Sequence, residues 1–388
     1  MEARIGGPGQ FDGSTENLNK SKTKFYLPLA RESCRITLTY VDSRIVTIEP
    51  GLAFDPVEWA RVSEEIEKSI LTGPVKVGRE YSFCNFREVG SWRGDRSGVQ
   101  ILPPPDNAPR AEIEMAEHPF ILEFPIQASD FWPVTNHRRM REHRKLSLLL
   151  NVLLHGRVSL PPRQQEGFWA ALPGDGGNFE YKWVTGFFFA KLGKSVIDEV
   201  SQPAAERLEE EAPKEYYAVD GHDGRPLRVP SDLDEFICRY MALSPANRAK
   251  FDRATFWVDL ASRQWTYSVS ASFASLVSAI ESLTDRGKTH RLYCDECKTQ
   301  CTHEVPGATE KFRAFFETYA PGASMRKRRS AMYSLRSGIL HGSELMQLDQ
   351  DRTFGLTPPW WNQYKLQNEL WGLTWVALRN WLRNPPAA

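Results

Sequence analysis

The spacing of apolar positions changes near residue 229, and that change divides the chain. Up to there, alternation dominates: Ile36, Leu38 and Tyr40 alternate with polar residues, Ile121 and Glu123 interleave with Leu122 and Phe124, and Tyr181 to Ala190 is one apolar and aromatic run of strand length. Two helical stretches interrupt it. Val57 to Leu71 follows the turn signal Asp55-Pro56, and Met140 to His155 places Leu146, Leu149, Leu150, Leu153 and Leu154 on one broad apolar face. The pattern predicts a mixed, strand-rich domain over residues 25–200.

Beyond residue 229 the period is helical throughout. Ser244-Pro245 reads as a cap with proline at the first helical position, and Phe251, Ala254, Val258 and Ala261 follow in register. Phe273, Leu276, Val277, Ile280 and Leu283 make a second buried stripe, with Glu281 beside it. There a lone carboxylate is costly unless paired, and Arg336 is the candidate partner. A third helix carries Phe312, Phe315, Phe316 and Tyr319 and stops at Pro321-Gly322; a fourth carries Met332, Leu335, Ile339 and Leu340. After Pro358-Pro359, Leu366, Leu370, Leu373 and Ala377 run with Trp371, Trp375 and Trp381 in a last, long helix with apolar surface to spare for a dimer contact. The fold class expected is therefore α+β: a mixed amino-terminal domain, then an all-helical bundle over residues 229–388. Residues 201–228, with a Glu-rich run read as a solvated helix face and a Gly-Asp turn, are the expected linker. Residues 1–24, polar and glycine-rich, are the expected disordered tail, without the apolar core of an export signal.

Composition narrows the partners. With 41% hydrophobic and 25% charged residues in 388, and 49 cations against 49 carboxylates, no global basic field favours nucleic acid. Contact with RNA has to come from a local patch. Six cysteines with no export signal suit a reducing cytoplasm, and Cys34, Cys84 and Cys238 read as isolated small core residues. The other three cluster. Cys294, Cys297, Cys301 and His303 supply the donors of a closed tetrahedral zinc site, with His290 as the alternative fourth ligand. Such a site would pin a loop between helices, and filled by protein alone it leaves no position for water activation.

The fourth helix holds the chemistry. Arg336 and His341 stand in Tyr333-Ser334-Leu335-Arg336-Ser337-Gly338-Ile339-Leu340-His341-Gly342, and Arg329, Tyr333 and Arg336 share a polar face beside the apolar one. Four cations, Arg326, Lys327, Arg328 and Arg329, stand directly before this motif helix and suit phosphate. A second Arg-x4-His match, Arg138 to His143, lies in a string so polar that a solvated helix start is expected. Five residues along a helix turn the side chain by about 140°, so Arg336 and His341 of one chain do not converge without help. A second copy across a two-fold axis would supply it.

That ten-residue phrase, with Ala279-Ile280-Glu281-Ser282-Leu283 in the earlier helix, resembles the HEPN superfamily and within it the Apea-like group. The resemblance covers the carboxy-terminal part only. It implies a metal-independent endoribonuclease at a homodimer interface, of the kind used in antiviral defence or as toxins, with Arg336 and His341 catalytic and Glu281 and Tyr333 in support. Leu340 stands where the adenylylation-regulated branch has tyrosine, so that regulation is not implied. Histidine suits proton transfer near neutral pH and a planar guanidinium suits phosphoryl oxygens, so cleavage through the 2′-hydroxyl would leave 2′,3′-cyclic phosphates. The competing expectation is a non-catalytic dimerisation or RNA-binding scaffold. In either case the amino-terminal domain is left to meet a regulatory partner or ligand, and no membrane is involved.

Overall fold

The computed structural model describes residues 10–17, 20–29, 32–41, 44–50, 55–71, 73–86, 89–106, 108, 117–129, 132–155, 158–159, 168–173, 175–184, 194–218, 226–284, 290–293, 300–303, 307–322, 326–350 and 358–386. The chain divides into two units, one of residues 1–75 and 127–138, the other of residues 76–126 and 139–388.

In the first unit, strands β1 (Gln10–Asn17), β2 (Lys20–Leu29), β3 (Glu32–Val41) and β4 (Arg44–Pro50) form an antiparallel sheet in chain order. Helix α1 (Pro56–Leu71) follows, begun by the Asp55 carboxylate accepting from the Val57 amide at 2.7 Å. Of the expected disordered tail, residues 10–17 and 20–24 lie in β1 and β2, and the rest falls outside the described residues. Gln10 stands opposite Tyr26 and Lys20 opposite Val41, so the polar start of the chain is held by a backbone ladder, which needs no apolar side chains of its own.

The second unit contains a six-stranded sheet. Its strands are β5 (Val75–Cys84), β6 (Trp92–Arg93), β7 (Gln100–Leu102), β8 (His118–Gln127), β9 (Val158–Ser159) and, after the hairpin β10 (Phe168–Pro173) and β11 (Phe179–Val184), β12 (Val196–Ile197). The order is β12-β5-β8-β7-β6, with β9 also on β5. Helix α2 (Trp132–Leu153) packs Leu149, Leu150, Val152 and Leu153 completely out of water. The second Arg-x4-His match lies on it, and its histidine is not solvated. Arg138 donates to the Gln127 carbonyl, while His143 is buried, shares a 2.8 Å hydrogen bond with Ser82 Oγ, and is pushed down to about 3, chiefly by burial and next by Arg139. His155, just past the helix, packs on the Tyr216 ring.

The same unit holds the helices α3 (Leu233–Met241), α4 (Pro245–Gln264), α5 (Val269–Leu283), α6 (Ala308–Tyr319), α7 (Arg326–Leu340) and α8 (Pro358–Arg383). The coarse α+β class holds. One apolar cluster runs from Phe120, Leu122 and Phe124 of the sheet through α2 to Phe251, Phe273, Leu370 and Trp381 of the helices. A shared core makes sheet and helices one cooperative body.

The expected linker is part of that body. Ser201 donates through both amide and hydroxyl to Glu123, Leu208 and Tyr216 are buried, and β13 (Glu209–Glu211) pairs in parallel with β14 (Arg228–Pro230). The Glu-rich run is a strand, not a helix face. Arg228 neutralises Glu211 at 2.8 Å and Trp92 Nε1 donates to Glu210, contacts that no local pattern specifies. Among the described residues no helix is long and apolar enough to cross a membrane.

Candidate functional site

Helix α5 is set first, because it carries Glu281. Ser268 caps it by accepting from the Ala271 amide. The Asp349 carboxylate receives the Ser268 hydroxyl and the Val269 and Ser270 amides, each at 2.8 Å. Burial alone would raise the Asp349 carboxyl, but hydrogen bonds from Ser270, Ser268 and Val269 win and hold it below the usual carboxylate range. A fixed anion at the amino end also suits the helix dipole. With Phe273, Leu276, Val277, Ile280 and Leu283 all buried, the rotation of α5 is fixed and Glu281 emerges at the edge of the stripe.

There Glu281 meets α7. Its Oε1 accepts the Tyr333 hydroxyl at 2.9 Å and its Oε2 takes a terminal nitrogen of Arg336 at 2.5 Å. Both carboxylate oxygens are engaged by different partners. The Arg336 guanidinium carbon also lies 5.5 Å from the Tyr333 ring centre, a cation-π contact, and its Nε is buried with no hydrogen-bond partner among the described residues. The Tyr333 hydroxyl is raised, by burial first and then by its bond to Glu281. Behind it the ring packs on Phe312, centres 5.4 Å apart.

His341 stands at the other end of the same helix. Gly342 adopts φ +72°, its amide reaches the Ile339 carbonyl and the Ser343 amide reaches Gly338, which is the paired closure of a Schellman end. His341 is thus the last residue before the chain turns away, and its side chain is exposed. It takes no part in the contacts that gather Glu281, Tyr333 and Arg336, in keeping with the angular offset expected from the sequence.

The basic quartet is split. Arg326 and Lys327 occupy the first turn of α7. Arg328 is committed to Glu369, and Arg329 is 1% exposed. Arg329 donates at 2.7 Å to the Ala320 carbonyl at the end of α6, and its guanidinium lies 5.7 Å from the Phe316 ring centre. It acts as a capping cation for α6, shielded from solvent. The reason is tertiary: the carbonyls that end a helix need donors, and a buried arginine supplies them.

The proposed zinc ligands are divided between described and undescribed segments. Cys294 and Cys297 lie outside the described residues, while Cys301 and His303 lie on β16 (Gln300–His303), paired with β15 (His290–Tyr293). In that antiparallel register His290 stands opposite His303 and Leu292 opposite Cys301.

Sequence reasoning missed a cleft. Lys250, Arg253 and Trp257 of α4, Ser278, Glu281, Ser282 and Thr284 around the end of α5, and Ala308, Lys311 and Phe312 of α6 enclose 820 Å³. Its α4 wall has helical spacing on the face flanking Phe251, Ala254 and Val258, a signal visible in the sequence but meaningless until α5 and α6 close the space. Glu281 belongs to both the cleft and the cluster with Tyr333 and Arg336. No protein-family model, curated protein or solved structure matches this chain.

Proposed function

We propose that the chain is a metal-independent endoribonuclease of the HEPN type, with Arg336 and His341 catalytic. The observation that carries this is the convergence on Glu281 of Tyr333 and Arg336, three residues named by the resemblance and drawn from helices far apart in sequence. Arg336 would stabilise charge on the phosphorane through the terminal donors it does not spend on Glu281. His341 would move the proton of the 2′-hydroxyl or of the leaving oxygen. Because the two diverge within one chain, a homodimer would complete each site. Zinc, held by Cys294, Cys297, Cys301 and His303 or His290, would pin the segment between α5 and α6. The hairpin register, which sets His290 opposite His303, is compatible with either histidine as the fourth ligand.

A scaffold without activity is favoured by one observation, the saturation of Glu281 by Arg336 and Tyr333, which suffices to explain all three residues structurally. The deciding experiment is incubation of the purified protein with transfer and messenger RNA, beside His341→Ala and Arg336→Ala. Chelator is kept at a level that leaves the melting temperature unchanged, so that structural zinc is retained. Cleavage by wild type alone, leaving 2′,3′-cyclic phosphate and 5′-hydroxyl ends, is the expected result. A 3′-hydroxyl and 5′-phosphate pattern would rule the mechanism out, and dimerisation without cleavage by any of the three would select the scaffold.

A further inference from the structure

Helix α8 carries a face that the packing of the bundle does not use. Trp361, Lys365, Asn368, Gly372, Trp375 and Arg379 recur at alternating steps of four and three residues, the spacing of a seam for a second helix. All six are exposed or half-buried, while Leu370, Ala377 and Trp381 on the far side are buried. Two aromatic anchors are held in place on the seam. Trp361, 50% exposed, sets its ring edge-on against Trp360 with centres 4.9 Å apart, and Trp375 stacks on Trp371 at 4.6 Å. A side chain already immobilised loses little freedom when a partner covers it. Gly372 lies between the anchors. A glycine inside a helix weakens it, and no neighbour requires one here, since a Cβ at this position would meet nothing within 4 Å. The bare backbone leaves room for close approach from outside.

The free charges on the seam have one sign. Each anchor is followed four residues later by a cation, Lys365 after Trp361 and Arg379 after Trp375. Glu369 is committed to Arg328, and Asp232 is bonded to Arg383 at 2.9 Å and acts on Arg379 only at longer range. Among the described residues no carboxylate or carbonyl is hydrogen-bonded to Lys365 or Arg379. The Arg379 guanidinium lies 3.9 Å from the Tyr217 ring centre, and burial lowers its pKa. A half-buried cation without an anion in contact is costly, so this end of the seam suits a carboxylate.

We propose that this face of α8 docks an acidic amphipathic helix of a partner protein, which sets carboxylates on Lys365 and Arg379 and apolar side chains on Trp361, Trp375 and the gap at Gly372. The two cations are 14 residues apart, about 21 Å along the axis, so the partner's carboxylates are four helical turns apart. A second copy of this chain does not fit. Paired antiparallel about Gly372, Lys365 of each copy faces Arg379 of the other; paired parallel, each cation faces itself, and like charges opposed across an interface repel. A nucleic-acid strand matches poorly too, because about six phosphates at 3.4 Å each span that length and the seam offers only two cations. The proposal stands apart from the ribonuclease reading and does not depend on it.

The test is fluorescence anisotropy of the full chain with a labelled amphipathic peptide of about 24 residues, long enough for the four turns. The peptide carries a leucine stripe flanked by two glutamates placed to match the two cations. Binding is expected, and a peptide with lysines at the same two positions should bind at least tenfold more weakly. Lys365→Glu, at an exposed position, should weaken the acidic peptide about threefold or more and strengthen the basic one. Gly372→Gln should keep or raise the melting temperature, because glutamine is the better helix former, and yet weaken binding about tenfold by blocking the approach. Trp361→Ala is expected to cost about tenfold. Melting temperatures verify folding. No binding by wild type, equal affinity for the two peptides, or unchanged affinity in folded Lys365→Glu and Gly372→Gln would overturn the proposal. Displacement of the peptide by single-stranded RNA would assign the seam to nucleic acid, and a dimer in sedimentation that Gly372→Gln dissolves would assign it to a second copy. Either result overturns the acidic partner.

Discussion

Glu281 Oε2 and a terminal nitrogen of Arg336 lie 2.5 Å apart although 55 residues separate them in the chain. The two side chains are 19% and 28% exposed, Arg336 the lesser, so the pair is neither a screened surface bridge nor a fully desolvated one. Its partial burial sets the cost of breaking it.

Glu281→Gln keeps the shape and removes the charge. It is expected to cost about 1–2 kcal/mol in urea unfolding, between the values for surface and buried pairs. If Arg336 acts on phosphate, losing the carboxylate that holds it should also lower cleavage at least tenfold with folding intact. A variant as stable as wild type would show that the bond contributes nothing net.

Arg329→Met removes a buried cation that ends α6. Its loss leaves the Ala320 carbonyl short of a donor and is expected to destabilise the protein by about 2–3 kcal/mol. RNA affinity of the folded variant should be unchanged. A lowered salt slope for RNA binding would instead return Arg329 to the phosphate-binding set.

His143 is expected to make the protein acid-sensitive. Its folded pKa is lowered to about 3 by burial and by Arg139, whereas the unfolded chain titrates near 6.5. The neutral form is therefore favoured in the folded state. The associated stability is fully present above pH 6.5 and is lost as pH falls toward 3, amounting to roughly 3 kcal/mol by pH 4. Urea midpoints for wild type and His143→Gln across that window should converge as pH falls. Parallel curves would assign acid loss to other groups.

Tyr216 works in the opposite direction. Burial pushes its hydroxyl up to about 12, against about 10 in the unfolded chain. Folding then favours the protonated phenol, so stability is complete below pH 10 and declines as pH rises toward 12. Tyr216→Phe should flatten the alkaline limb of the stability profile, measured by denaturant midpoint. An unaltered limb would exclude this tyrosine as its source.

Gly342→Ala puts a side chain where φ is +72°. A cost of about 1 kcal/mol is expected, because an L side chain in that region strains the backbone. Open space around the added Cβ means the cost is conformational and not a clash. If His341 is catalytic, cleavage should fall more than stability does, since the helix end that presents it is altered.

What the sequence determined by itself was local. The stripe on α5, the Ser244 cap, which accepts from the Asn247 amide, and the glycine ending α7 all arise from spacing and backbone preference, and each appears where its pattern predicts. Glu281 was legible too, as a carboxylate beside an apolar stripe that needed a cation. Tertiary structure decided the rest. Nothing local says that Arg329 turns inward to a carbonyl from another helix while Arg328 pairs with Glu369, because adjacent cations read alike until their neighbours are placed. Nor does a Glu-rich run announce a parallel pairing with Arg228–Pro230, or a polar start to the chain announce a ladder. Backbone hydrogen bonds and ion pairs between distant segments leave no period in the sequence. Period reveals which face of an element is buried, and only the packed chain reveals against what.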